Sequence, residues 1–159
     1  MKHLPKHLQP RWRYLAVGIE SWPDTSIDRG AFQRELWYAA GNLLGDPGSA
    51  DADLRVFAFR FADGDGEAVV RVRRGEVDPA RAAIACVDEI GGAPVGIRVR
   101  GVSGTVRACS ERYLGRAGGK TNQRDVAFAN ERRSAWKRDE AYDVRTDEGF
   151  VGATGLDFE

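Results

Sequence analysis

The alternation of strand and helix patterns along residues 14–114 is the feature that most constrains the fold. Strand patterns place β-forming residues at every second position, whereas helix patterns repeat apolar residues every three or four positions. Between the second and third strands, Asp63-Gly64-Asp65-Gly66 predicts a tight hairpin turn. In chain order the patterns predict strands at 14–20, 54–62, 67–74 and 95–102, helices after the first and third strands, and a last helix after Thr105.

Local signals predict where the first two helices begin and end. Asp28 is expected to cap the first helix, and Gly45 followed by Pro47 is expected to end it. Asp78 before Pro79 predicts the start of the second helix, because proline is favoured at the first helical position. Gly91 and Gly92 are then expected to end that helix.

This order, β-α-β-β-α-β with an additional helix, predicts an α+β fold of the ferredoxin-like, split βαβ type. Such a fold has a four-stranded antiparallel sheet with two helices on one face, and the extra C-terminal helix is free to cover the other face. We expect this domain to span 14–116. A basic irregular arm is expected at 1–13, and a polar, acidic C-terminal extension, partly disordered, at 117–159.

Charge is distributed unevenly, although the formal net charge is zero. Residues 139–159 hold seven acidic residues against Arg145 alone, so the rest of the chain carries a net charge of +6. The segments 2–13 and 98–120 are the most basic, which favours contact with nucleic acid. Only four of the 24 basic residues are lysine, so planar guanidinium groups are expected to make most of those contacts.

The predicted sheet places several arginines on one face. If Val70 and Val72 point toward the helices, then Arg71 and Arg73 share the opposite face with Tyr14. On the fourth strand Val95, Ile97 and Val99 are expected inward, with Arg98 and Arg100 outward. We interpret this face as one that tracks RNA phosphates, although outward strand positions are often charged without any such role. The full set of candidate RNA-binding residues is Arg11, Arg13, Tyr14, Arg71, Arg73, Arg98, Arg100, Ser103, Gly104, Thr105 and Arg107.

Two further features bear on how RNA would be bound. Ser103-Gly104-Thr105 opens the last helix, where free backbone N–H groups suit an anion, and helix capping explains the two hydroxyls equally well. The third strand lacks the aromatic pattern of an RNA recognition motif, and Phe57, Phe59 and Phe61 are expected to belong to the core. Base stacking on the sheet is therefore not expected.

Catalytic and metal-binding signals are missing from the sequence. His3 and His7 lie in the irregular arm, no nucleophile or phosphate-loop motif occurs, and Cys86 and Cys109 form no C-x-x-C pair. We predict no catalytic residue and no metal or cofactor bound by the protein itself. The chain also has no apolar run long enough for a membrane span and no signal-peptide core, so a cytoplasmic location is expected.

Two segments resemble a known family. The run VGIRVRGVSGTVR from Val95 to Arg107, continued by Glu111 to Leu114, resembles the end of the conserved domain in the archaeal family of ribonuclease P protein component 2. The opening from Leu4-Pro5 through Arg11 to Ala16 resembles the start of the same family. The resemblance covers about residues 1 to 114, so the later residues inherit nothing from it.

The resemblance implies a noncatalytic subunit that binds the ribonuclease P RNA. In that enzyme the RNA, with its magnesium ions, removes the 5′ leader from precursor tRNA, which this subunit would meet indirectly. Implied partners are ribonuclease P protein component 3, other protein subunits and a second copy of the chain. Two alternatives stay open: a ferredoxin-like regulatory domain that binds a small molecule, and a general or ribosome-associated RNA-binding protein.

Overall fold

The computed structural model describes residues 4–115, 122–138 and 140–158 and divides the chain into two compact units, Met1–Gly115 and Arg116–Glu159. After a short 3-10 helix at Lys6–Leu8, the main strands and helices of the first unit follow the predicted order, with an additional two-stranded hairpin that was not predicted. Its elements are β1 (Trp12–Glu20), α1 (Arg29–Ala52), β2 (Arg55–Ala62), β3 (Asp65–Arg73), α2 (Val77–Ala85), β4 (Glu89–Ile90), β5 (Ala93–Pro94), β6 (Gly96–Ser103) and α3 (Val106–Tyr113).

The main sheet of the first unit has the strand order β2-β3-β1-β6, and every neighbouring pair is antiparallel. This is the ferredoxin-like arrangement, so the predicted fold class is confirmed, including the extra helix α3. The hairpin between β2 and β3 turns at Asp63 and Gly64, both with positive φ. An added Cβ at Gly64 would lie 2.6 Å from the Ser21 carbonyl oxygen, so glycine is required there.

The alternation along β1 divides the sheet into two faces. Leu15, Val17 and Ile19 are fully buried in the main core together with residues of α1 and α2, and we call this the inner face. Ala16 lies on the opposite, outer face, in a smaller cluster with Val69 and Cys109. The period-two pattern predicted this division correctly because successive side chains of a strand point to opposite faces.

Helix α1 begins as predicted and ends later than predicted. The Asp28 carboxylate accepts a hydrogen bond from the Ala31 N–H at 2.8 Å, as an N-cap does. Gly45, with φ 73°, interrupts the helix, but a second helical segment continues to Ala52. The expected stop was therefore wrong, since Pro47 in the first turn of a new segment removes no intrahelical bond.

Helix α2 differs from the prediction at both ends. It begins at Val77 after Glu76, which makes no side-chain capping bond, so Asp78 is not the cap. It ends at Ala85, six residues before Gly91. Gly91 and Gly92 both have positive φ and form the turn between β4 and β5, which is the conformation that a two-residue hairpin requires.

The second unit contains an antiparallel sheet that the sequence patterns did not predict. The described residues of the expected irregular extension form β7 (Asn122–Phe128), β8 (Glu131–Arg138), β9 (Ala141–Thr146) and β10 (Gly149–Ala153) in the order β10-β9-β8-β7. Its buried cluster consists of Ala135, Val144 and Ala153, bordered by partly buried aromatic residues. So small a core leaves little hydrophobic signal in the sequence. Of the helices in the described part of the chain, none is long and apolar enough to cross a membrane.

Candidate nucleic-acid interface

Helix α3 covers one part of the outer face. Cys109 of the helix is buried against Ala16 and Val69, with Tyr113 and Leu114 packed around them. The Tyr113 ring lies over Gly101, where an added Cβ would be 2.2 Å from the ring. This close approach explains the glycine in the middle of β6, because any side chain there would displace the ring.

Beyond this helix, tryptophan and arginine side chains meet on the outer face. Arg71 is opposite Tyr14, and Arg73 is opposite Trp12, in the register of β1 and β3. The Arg71 guanidinium carbon lies 3.9 Å from the centroid of the Trp12 ring, and that of Arg73 lies 5.8 Å from it. An indole ring stabilises the position of a guanidinium group that stacks on it, and the N–H groups at the edge of the guanidinium stay free to donate hydrogen bonds.

A β-bulge adds a third aromatic residue, Phe57, to this face, beside Trp12 and Tyr14. The register of β2 and β3 shifts between Val56 and Ala58, so Phe57 leaves the inner row. Its ring instead contacts Tyr14 edge-on, with centroids 5.8 Å apart and planes at 79°. Phe59 and Phe61 pack against the main core as expected. The expected core position was wrong for Phe57, because the bulge interrupts the alternation of side chains that places Phe59 and Phe61 on the inner face.

These side chains form a surface that we call the arginine–aromatic surface. Sequence patterns pointed to Tyr14, Arg71 and Arg73 but missed the rest. Trp12 is two residues before Tyr14, so extending the alternation of β1 by one more pair would have identified it. No comparable signal existed for Phe57. The surface consists of Trp12, Tyr14, Arg55, Phe57, Arg71 and Arg73.

Positive charge on this surface exceeds the negative charge beside it. Asp53 pairs with Arg55 at 3.5 Å and with Arg73 at 3.9 Å. Among the residues that the structure describes, no carboxylate pairs with Arg71, and its Nε is buried without a hydrogen-bond partner. Asp53 thus pairs with two of the three guanidinium groups and leaves Arg71 without a carboxylate among the described residues, which favours binding of a further anion.

Arg98 and Arg100 do not extend the arginine–aromatic surface, contrary to the predicted single arginine face. Arg98 is exposed opposite Gly18, four residues along β1 from Tyr14, or roughly 13 Å at the rise of a strand. Arg100 is at a register shift, where its guanidinium lies against Gly18 and donates to the Tyr113 carbonyl oxygen at 3.4 Å. It also pairs with the buried Glu67 at 3.5 Å. Arg100 thus has partners within the protein.

Glu67 connects α3 to the sheet. Its carboxylate also pairs with Arg60 at 3.0 Å and accepts a hydrogen bond from the Gly115 N–H at 2.9 Å. Because the Glu67 side chain is only 7% exposed, these partners compensate for the loss of hydration that a buried carboxylate suffers. The network holds the end of α3 over β3 and β6.

The start of α3 lies next to β1. Ser103 is buried opposite Tyr14, and the Thr105 hydroxyl accepts the Ala108 N–H at 3.1 Å, which is the capping role considered above. Gly104 approaches the Arg13 side chain, with 3.9 Å between an added Cβ and Arg13 Nη1. The Arg107 side chain is 89% exposed and pairs with Glu111 at 2.8 Å.

The basic arm leads into β1 close to the start of α3, where the Arg13 side chain approaches Gly104. Arg13 Nη1 donates to the Trp12 carbonyl oxygen at 3.1 Å. The Arg11 carbonyl oxygen accepts a hydrogen bond from the Arg74 N–H, so the backbone of Arg11 is held in place. The Arg11 side chain is exposed to solvent. Arg11, Arg13 and Arg107 therefore add charge near the arginine–aromatic surface.

Other kinds of site have little support in the described chain. Within residues 4–115, 122–138 and 140–158, no three His, Cys, Asp or Glu residues come together as metal ligands. Burial raises the pKa of the Cys109 thiol, which makes it a poorer nucleophile. A cavity of about 320 Å³ borders β2 and α3, but the carboxylate of Glu67 in its wall is already paired.

Comparison with known proteins agrees with the resemblance seen in the sequence. The model of the Rpp14/Pop5 family matches residues 13–114. The ribonuclease P protein component 2 of Halorubrum lacusprofundi is 65% identical over 159 residues, which are the full length of both chains. The protein of the same name from Haloarcula marismortui is 60% identical over 99% of each chain. The protein of the same name from Methanosarcina mazei is 33% identical over 114 residues, which are 72% of this chain and 93% of that protein. The chain described here belongs to the Rpp14/Pop5 family.

Proposed function

We propose that the chain is a noncatalytic protein subunit of ribonuclease P, which binds the catalytic RNA and supports removal of the 5′ leader from precursor tRNA. The observation that carries the RNA contact is the position of Arg71 over the Trp12 ring, next to Arg55 and Arg73, which both pair with Asp53, while Arg71 itself pairs with no carboxylate of the described residues. The names of the similar proteins support the assignment to ribonuclease P.

In this proposal the protein holds the RNA, and the RNA performs the chemistry. Planar guanidinium groups bind phosphate oxygens in pairs, and the Trp12 ring beneath Arg71 limits the positions that its guanidinium can take. Phosphate contacts position an RNA without reading its sequence. Magnesium ions would belong to the RNA, where they supply the metal chemistry of phosphodiester hydrolysis.

The proposal includes partners and a location. The chain would assemble with the ribonuclease P RNA, with ribonuclease P protein component 3 and with other subunits, and paired copies would occur within the complex. It would contact precursor tRNA indirectly and work in the cytoplasm. Arg98 would bind RNA at a separate point, whereas Arg100 would act through Glu67 and α3.

Omission from a reconstituted holoenzyme tests this function. The enzyme is assembled from its RNA and proteins with and without the chain, and the rate of 5′ leader removal is measured at limiting magnesium. We expect the rate to fall when the chain is left out, because the arginines of this chain then no longer neutralise RNA phosphates and more of that charge must be neutralised by the limiting magnesium ions. An unchanged rate would refute the assignment.

The two alternatives make different predictions. A small-molecule regulatory domain needs a pocket with polar groups ready to bind a ligand, and Glu67 beside the cavity is already fully paired. A ligand-dependent rise in melting temperature without any RNA binding would favour it. A ribosome-associated role would be favoured if the tagged chain purified with ribosomal RNA rather than with the ribonuclease P RNA.

A further inference from the structure

We propose that the arginine–aromatic surface binds an unpaired RNA nucleotide, with its base stacked on Phe57 and its phosphate held by Arg55 and Arg71. The inference rests on the proposed RNA contact and specifies which kind of RNA element the surface takes. It also reverses the expectation from sequence that the sheet does not stack bases.

The position of Phe57 is the first argument. Its ring is held on the outer face by the edge contact with Tyr14, and 47% of the residue stays exposed. Val56 remains buried in the core, so the bulge removes Phe57 alone from the inner row. A bulge that turns a large aromatic residue away from the core and toward solvent directs that side chain for contact with something outside the fold.

Charge repulsion between neighbouring arginines is the second argument. Arg55 and Arg71 are directly opposite each other on β2 and β3, and like charges in such pairs are destabilising. Asp53 pairs with Arg55 but not with Arg71 among the described residues. An anion bound by the two guanidinium groups would relieve the repulsion between them.

An exposed Phe57 ring beside the guanidinium groups of Arg55 and Arg71 favours an unpaired nucleotide over a duplex. Bases inside an A-form helix are stacked on their neighbours, so an exposed ring on a sheet cannot reach their faces. An unpaired base has a free face, and stacking on an aromatic side chain tolerates any base. An aromatic ring beside cationic groups is the combination that single-stranded sites use.

Binding to two matched RNAs tests the inference. The full-length protein is titrated with a hairpin that carries an unpaired loop and with a duplex of the same length, and dissociation constants are compared. We expect Phe57→Ala to weaken hairpin binding roughly 5- to 100-fold, because stacking is lost, and to leave duplex binding unchanged. Leu43→Ala, at an equally exposed apolar residue of α1, is the matched control and should change neither.

Two conservative variants separate stacking from apolar packing. Phe57→Trp keeps an aromatic face and should restore hairpin affinity, whereas Phe57→Leu keeps apolar area without such a face and should not. If Phe57→Leu bound the hairpin as well as the wild type, stacking would be excluded. Equal hairpin affinity for Phe57→Ala and the wild type would also overturn the inference while leaving the proposed function intact.

The salt dependence and a crosslink provide independent readouts. Stacking releases no counterions, so the ratio of wild-type to Phe57→Ala affinity should persist in multimolar potassium chloride, whereas total affinity falls. In the reconstituted holoenzyme, 5-iodouridine at unpaired RNA positions should crosslink to Phe57. If 5-iodouridine at unpaired positions crosslinked to other subunits but not to Phe57, the inference would be refuted. Absence of any RNA binding by the wild-type protein would refute both proposals.

Discussion

The Arg71 guanidinium carbon lies over the Trp12 indole, 3.9 Å from the ring centroid. The two residues come from neighbouring strands, and Arg71 is opposite Tyr14 rather than Trp12, so the contact is diagonal across the sheet. Diagonal neighbours on one face are within reach of long and aromatic side chains. The pair therefore orients a cation at the centre of the arginine–aromatic surface.

Arg71→Lys should weaken RNA binding even though it keeps the charge. Lysine lacks the planar fork and stacks less well on Trp12, and we expect a loss of about 1 to 2 kcal/mol in binding free energy. Filter binding with the ribonuclease P RNA measures it, with Arg81→Lys on the exposed side of α2 as the control. Unchanged affinity in Arg71→Lys would show that charge alone matters there.

Glu67→Ala should destabilise the first unit. Removing the carboxylate leaves the largely buried Arg100 without its carboxylate partner and the Gly115 N–H without an acceptor, at a cost of about 2 to 3 kcal/mol. Chemical denaturation monitored by circular dichroism gives the free energy of unfolding. Arg60→Ala removes a partner whose side chain is 71% exposed, so its effect should stay below about 1 kcal/mol. Equal effects of the two variants would contradict the central role of Glu67.

Gly101→Ala should displace the Tyr113 ring and loosen α3. The added Cβ would lie 2.2 Å from the ring, and overpacking of this kind costs about 1 to 3 kcal/mol. Gly152→Ala is the control, because an added Cβ there meets nothing within 4 Å. Hydrogen exchange of the α3 amides should accelerate only in Gly101→Ala. If Tyr113→Ala did not reduce the cost of Gly101→Ala, the steric explanation would be wrong.

The two cysteines should differ in reactivity. Cys86 is exposed, whereas Cys109 is buried and burial raises its pKa above the ordinary value of 9.0. One thiol should react with a disulfide reagent in the native protein and two after denaturation. As the pH rises above 9.0, the Cys109 thiol ionises more readily in the unfolded chain, so the folded state loses stability. Rapid reaction of both thiols in the native state would contradict the buried position of Cys109.

A chain truncated after Gly115 should still fold cooperatively. The first unit has its own core, and the Methanosarcina mazei protein aligns over 114 residues that make up 93% of its length. Keeping Gly115 preserves the hydrogen bond to Glu67. A single sharp thermal transition by circular dichroism is expected. A broad transition would show that residues 116–159 are needed for the fold of the first unit.

Local patterns were sufficient for the order of the main strands and helices in the first unit, for the fold class and for most of the inner core. Leu15, Val17 and Ile19 are buried as their alternation predicts, and Asp28 caps α1 as its position predicts. These features depend on backbone geometry over a few residues, which the sequence reports directly. The ends of α1 and α2 were mispredicted because glycine and proline also suit kinks and turns, and only packing selects among them.

The tertiary structure alone decided which side chains reach the candidate site. Phe57 faces outward and Arg100 pairs with Glu67 because the strand registers shift beside them, and a register shift depends on residues far away in sequence. The sequence by itself thus determined a ferredoxin-like domain with an arginine-bearing sheet. Strand pairing and the packing of α3 decided which arginines remain free to bind an anion. These depend on contacts between residues far apart in the chain, and such contacts produce no periodic pattern in the sequence.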